Sequence, residues 1–292
     1  MNDIQVREEV ESPYIFSIPH SGELLARDME WQLNASSQKF LPNIDWHLNE
    51  LYGFLTKYKV SIISTPHSRY VVDVNRPPNA QKLGNYRRSL VYNTNTWDEE
   101  IYDTPPTFED VERRIKRYYE PFHAELERLV TQKIKQFGKV YLIDLHSFMG
   151  PIGEDVCLGN RHNTTCSKEL IDSFYEAFTS EGFNTIKNKV FIGGYITKSY
   201  AIQDIVETLQ IELRYSNYIE ADELDVRKTP SRETTLFYET AFRLERVFEK
   251  IGIEKREDEK ALPVVKIENI WATRALWGFG FIVAIFLGLM EK

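Results

Sequence analysis

The chain has 292 residues and 42% hydrophobic content, enough for one large α/β domain or two small ones with a sizeable core. Its net charge of -8 argues against nucleic acid as a partner, because phosphate contacts need clustered Lys and Arg. Cys157 and Cys166 are the only cysteines, which excludes a disulfide framework or a CxxC site and favours a reducing compartment.

Met1–Ser12 is polar and acidic, without the pattern of a signal peptide. Tyr14–Gly22, YIFSIPHSG, is a strand-like apolar run that ends in His20. Trp46, Leu48, Leu51, Tyr52 and Leu55 have helical spacing, and Asp45 stands where an N-cap belongs. Val60–Ser64 reads as a short strand. A second apolar stretch, Val71, Val72 and Val74, stops at Asn75-Arg76 and is closed by Pro77 and Pro78. Asn79–Thr107 is polar, with little periodicity, and is long for a loop, which suggests an insertion or substrate lid. Phe108–Phe137 is an amphipathic helical pattern expected to break at Pro121, and Gly138 stops it.

Val140–Gly150, VYLIDLHSFMG, follows. It is a buried-strand pattern that delivers Asp144, His146 and Ser147 where its apolar run ends. Ser167–Ser180 reads as a helix, Lys189–Ile196 as a strand with a glycine pair, and the stretch from Pro230 to about Ile251 as another helix. Thr208–Arg214, TLQIELR, is a third apolar run and contains Glu212. The recurring helix-then-strand order favours an α/β fold, and open α/β sheets bind ligands at the carboxyl ends of their strands. A catalytic domain is expected over 1–252, a charged linker over 253–269 and an apolar tail over 270–292. Ala275–Met290 is an uncharged run of 16 residues, read as a membrane anchor with Arg274, Trp271 and Trp277 toward one end. A cytoplasmic enzyme, held to the cytoplasmic face of a membrane, is the corresponding expectation. The rival reading packs the tail into the core or against a partner.

Two histidines and a carboxylate at three strand ends suggest one metal-centred site. Zinc in a hydrolase keeps three protein ligands and leaves a position for water. His20 and His146 are the nitrogen candidates. The oxygen could come from Glu23, which makes H-x-x-E with His20, or from Asp45. Glu212 suits the role of general base, and Asn75-Arg76 could clamp a carboxylate. Asp144 reads either as a partner orienting a ligand histidine or as a strand-end hydrogen-bonding group.

IPHSG, NIDWHLNELY, SRYVVDVNRPP, PFH, DLHSF, LGNR, GGYIT and LQIEL, in this order over Ile15 to Tyr218, resemble the motif series of the N-formylglutamate amidohydrolase family. Asp73–Arg76, Leu145–Ser147 and Glu212–Arg214 are also similar to segments of the zinc carboxypeptidases. The resemblance implies a three-layer α/β/α fold around a mixed sheet, zinc-carboxypeptidase-like, with Zn2+ as cofactor. It implies zinc on His20 and His146, Asn75 and Arg76 at a substrate carboxylate, and Glu212 as base; for the third ligand the carboxypeptidase spacing points to Glu23 and the amidohydrolase pattern to Asp45, the favoured choice. Arg69 or the zinc itself would stabilise the oxyanion, and Arg161 of LGNR could meet substrate. The implied reaction is hydrolysis of the amide of a small acidic acyl-amino acid, N-formyl-L-glutamate first among them. A related hydrolase for another acyl-amino acid or a peptide, or a tethered binding protein without turnover, are the alternatives.

Overall fold

The computed structural model of the chain describes residues 4–224 and 226–256. Nine strands form among the described residues, in chain order: β1 (Gln5–Arg7), β2 (Tyr14–Ile18), β3 (Ser61–Ser64), β4 (Gln81–Gly84), β5 (Ser89–Tyr92), β6 (Val140–Phe148), β7 (Val156–Gly159), β8 (Thr185–Lys187) and β9 (Val206–Arg214). Seven of them make one mixed sheet in the order β1-β3-β2-β6-β9-β7-β8. β3, β2, β6 and β9 run parallel, so their carboxyl ends share one edge. β1 and β7 pair antiparallel to this set. β6 and β9 sit mid-sheet and are almost wholly buried, which explains their near-continuous apolar reading.

The principal helices are α1 (Met29–Gln32), α2 (Leu48–Leu51), α3 (Phe108–Arg114), α4 (Glu120–Phe137), α5 (Lys168–Ser180), α6 (Tyr195–Ser199) and α7 (Thr235–Ile251). Side chains alternate across a strand, and β9 shows which helices lie on which face. Glu207 accepts from Ser167 at the start of α5, whereas the next residue, Thr208, donates to the Thr197 carbonyl in α6. α5 packs with α7, whose Phe248 meets Phe174 and Phe16, while α4 meets α6 through His123 against Tyr195 and Tyr200. Helices therefore cover both faces, in three α/β/α layers. One continuous hydrophobic core runs through them.

Local chemistry fixes the helix ends. Thr107 and Asp110 form a reciprocal capping box on α3, and Ser167 and Thr234 accept from backbone N–H groups of α5 and α7. Gly138 and Gly252 end α4 and α7 in left-handed conformation. The helical pattern over Phe108–Phe137 breaks at a π-turn, Ile115–Tyr119, and α4 restarts with Pro121 in its first turn, where a missing N–H costs nothing.

Several expectations differ from the structure. The Trp46–Leu55 pattern makes only the short α2 and a 3-10 turn after Gly53, and Asp45 caps neither. Lys189–Ile196 is not a strand: β8 precedes it, and the chain turns at Gly193 (φ 119°) into α6. Val71–Val74 is buried in turns rather than in the sheet. Asn79–Thr107 contains a small separate sheet, β4 with β5. Within the linker expected from Ile253, Ile253 is buried and the backbone of Glu254 and Arg256 bonds to that of Lys59 and Lys57. The rest of that linker and the apolar tail lie outside the described residues. Among the described residues, no helix is long and apolar enough to cross a membrane.

Candidate active site

The carboxyl ends of β2, β6 and β9 open onto a cavity of about 300 Å³. His20 lies just past β2. His146 is near the end of β6, directly opposite Glu212 of β9 in the parallel register. Asp45 arrives on the segment before α2, drawn in by two backbone contacts: its N–H donates to the His20 carbonyl at 3.2 Å and its carboxylate accepts from Ser147 N–H at 3.1 Å.

Among the described residues, one group of metal-capable side chains has ligand atoms all within 4.8 Å of one another: His20, Asp45 and His146, each buried. His146 Nδ1 is 3.0 Å and His20 Nδ1 3.8 Å from Asp45 Oδ2. His20 Nδ1 is buried without a hydrogen-bond partner, a costly state that a cation at this point would relieve. The far nitrogens are held by carboxylates: His20 Nε2 lies 2.6 Å from Asp73 Oδ1, and His146 Nε2 lies 2.9 Å from Asp144 Oδ2. Carboxylates placed this way orient imidazoles with Nδ1 turned to a metal. The donor set, two nitrogens and one carboxylate, fits zinc.

Burial, helped by Arg69, holds His20 below its ordinary pKa, which keeps it neutral. Burial also pulls on His146, but Asp144 and Asp45 outweigh it and raise this histidine well above its ordinary value. Burial would raise Asp45, yet the hydrogen bond from His146 and the charges of His20, His146 and Arg69 hold it low. Glu212 is different. Desolvation dominates, with Asp45 and Asp144 adding to it against His146 and Arg69, and its carboxyl is pushed up to about 8. Gln210 fixes Glu212: its Oε1 accepts from Gly194 N–H at 2.6 Å, which turns its Nε2 to donate to Glu212 Oε1 at 2.9 Å.

The cationic side of the cavity is built on Asp73. Arg69 Nη2 is 3.0 Å and Arg76 Nε 3.3 Å from Asp73 Oδ2, which also accepts from the Tyr92 hydroxyl. Arg69 Nη1 reaches Asp45 Oδ1 at 3.4 Å. Burial pulls against Asp73 ionising, but His20, Arg69 and Arg76 hold its carboxyl well below the carboxylate range. Asn75 lines the cavity with its amide engaged: Oδ1 accepts from Ile196 N–H at 2.8 Å, and Nδ2 lies 3.0 Å from His146 Nε2. Behind this segment, His123 Nε2 is 2.8 Å from the Val74 carbonyl and Tyr119 donates to that of Arg76.

Two sequence candidates stand apart. Glu23 is exposed, 4.0 Å from His47 Nδ1, and is absent from the triad. The reason is Gly22, whose missing Cβ lets the chain lie against Thr65–His67 and turn the next residue outward. Arg161 does not line the cavity; its Nη1 donates to the Gly193 carbonyl at 2.9 Å and supports the turn beside Gln210. Gln210, Tyr86 and Tyr92 reach the site without having been expected there. Gln210 was within reach of the sequence, since it shares a strand face with Glu212 two residues on. The tyrosines lie in the aperiodic stretch Asn79–Thr107, which gives no such signal.

Residues 12–219 match the model of the family described as N-formylglutamate amidohydrolase. The chain belongs to that family. The N-formylglutamate deformylase of Pseudomonas putida is 28% identical over 226 residues, covering 72% of this chain and 83% of that one. That of Pseudomonas aeruginosa PAO1 is 26% identical over 220 residues, covering 71% and 82%. A crystal structure of N-formylglutamate amidohydrolase from Ralstonia eutropha JMP134 shares the fold, with a TM-score of 0.68, 24% identity and coverage of 86% of this chain and 99% of that one. A gene product of Agrobacterium tumefaciens shares it too, with a TM-score of 0.63, 15% identity and coverage of 86% and 95%. The matched span of this family member contains every residue of the triad together with Asp73, Arg76 and Glu212.

Proposed function

We propose that this member of the amidohydrolase family hydrolyses the amide of N-formyl-L-glutamate, releasing formate and glutamate, with one zinc held by His20 Nδ1, His146 Nδ1 and an Asp45 oxygen. The observation that carries the reading is the convergence of three buried ligand atoms, one of them unpartnered, with the opposite nitrogen of each histidine on a carboxylate. The names of the two Pseudomonas relatives support the choice of substrate. A zinc ion bound there would polarise the amide carbonyl and make water more acidic.

The side chains supply the rest. Arg76 pairs with a substrate carboxylate through the part of its guanidinium turned to the cavity, while Asp73 keeps it in place. Arg69 adds positive charge where the carbonyl oxygen becomes negative. Glu212 takes a proton from the attacking water and hands it to the leaving nitrogen. Its carboxyl is high without a cation nearby, and positive charge at the triad across the β6–β9 pairing favours the ionised form that a base needs. Asn75 holds the Asp144–His146 pair rather than the substrate alone.

Formate release from N-formyl-L-glutamate is the test. Full-length protein should release formate, lose that activity on treatment with a chelator and recover it with zinc. Activity that survives complete metal removal, or no release by the zinc-loaded protein, overturns the reading.

A further inference from the structure

The cavity has two unlike ends, and the order of the sheet separates them. Arg69 and Arg76 hang from Asp73, which is bonded to His20 on the β2 side. Across the triad and Glu212, on the β7 side, the lining includes Phe148 and Phe191. The Phe148 and Phe191 rings lie 4.7 Å apart. They belong to a small apolar cluster with Ile152, Cys157 and Ile186, apart from the main core. Cys157 fixes the location, because it stands opposite Glu212 in the β7–β9 pairing and its Sγ donates to the Phe191 carbonyl at 3.5 Å.

We propose that Phe191, backed by Phe148, is a specificity-determining wall that stops the acyl side of the substrate and keeps long acyl groups out. The inference rests on the amide-hydrolysis reading above and names what sets its acyl preference. A substrate with carboxylates on its amine side places them at the arginines. Its scissile carbonyl then lies at the triad, and the substituent on that carbonyl points across Glu212 toward the phenyl rings. The wall is fixed from behind. A Cβ on Gly159 would stand 2.6 Å from the Phe191 carbonyl oxygen and 2.7 Å from Gly193 N, so the 191–193 backbone lies directly on β7. That backbone cannot shift toward β7, so each methylene added to the acyl group must swing the Phe191 side chain aside.

The experiment compares zinc-loaded wild type with Phe191→Ala and Phe191→Leu on N-formyl-, N-acetyl- and N-butyryl-L-glutamate. Both kcat/KM and calorimetric binding are measured. Wild type should prefer formyl over butyryl, and Phe191→Ala should reduce that preference at least tenfold, the scale of one or two methylenes in a pocket. Phe191→Leu, which keeps the cluster apolar, should shift it in the same direction by less. An unchanged preference in a folded, metal-loaded variant overturns the proposal. If no compound is hydrolysed but the binding preference shifts as stated, the wall stands and the hydrolytic reading falls. If binding is equally indifferent to acyl length in wild type and variants, the wall is refuted whatever the chemistry.

Discussion

Replacing Asp144 by asparagine isolates what one carboxylate does for the triad. Asp144 is fully buried, and its Oδ2 lies 2.9 Å from His146 Nε2. Its other oxygen has no hydrogen-bond partner, so the substitution disturbs little else. The asparagine amide would still offer an oxygen to the imidazole but no charge. Losing such a partner typically weakens metal affinity by 10–100-fold, or about 1.4–2.7 kcal/mol. Competition against a colorimetric chelator at pH 7 measures it directly. The metal-free protein adds a signed pH test. His146 is raised above its unfolded value, so its ion pair contributes stability that is complete below about pH 6.5 and lost as pH rises through the folded pKa. Asp144→Asn should therefore destabilise the metal-free chain more at pH 6 than at pH 9 in denaturant melts. Zinc affinity within twofold of wild type, in a folded variant, would refute the role given to Asp144.

Glu212→Gln should lower kcat by roughly two orders of magnitude or more while zinc content, measured by atomic emission, stays at wild-type level; near-normal turnover removes Glu212 from the mechanism. Arg76→Ala should raise KM for N-formyl-L-glutamate about 10- to 100-fold, the scale of a charged hydrogen bond, and affect amide-capped analogues far less; equal losses make Arg76 structural. His123 is held down to about 4 by burial against the support of the Val74 carbonyl, so the unfolded chain binds more protons between pH 6.5 and 4. Wild type should lose up to about 3 kcal/mol of stability over that interval, and His123→Gln should lose clearly less in parallel urea titrations; superimposable profiles contradict the assignment.

The sequence carried the parts of this site that lie on regular elements. His20, His146 and Glu212 each end or interrupt an apolar run, and parallel pairing of those runs brings them to one edge. Asp45 was expected as the oxygen ligand through the family resemblance alone, because its local pattern reads equally well as an N-cap. Its contact with His146 spans 101 residues, and no local rule carries that. Glu23, the alternative that its H-x-x-E spacing with His20 offered, is exposed and lies 4.0 Å from His47 Nδ1 instead. Asp73 stood out only as the start of the Asp73–Arg76 segment, while its contact with His20 spans 53 residues. The glycine pair read as part of a strand is a turn, because Gly194 must pass against the Asn75 amide, where a Cβ would stand 2.5 Å from Nδ2.

Anomalous diffraction at the zinc edge, from crystals of the zinc-loaded protein, tests the centre of this account most directly. One peak is expected at about 2.0–2.2 Å from His20 Nδ1, His146 Nδ1 and an Asp45 oxygen, with Asp73 and Asp144 still on the opposite nitrogens. A peak held through either Nε2, or by Glu23 in place of Asp45, would contradict it.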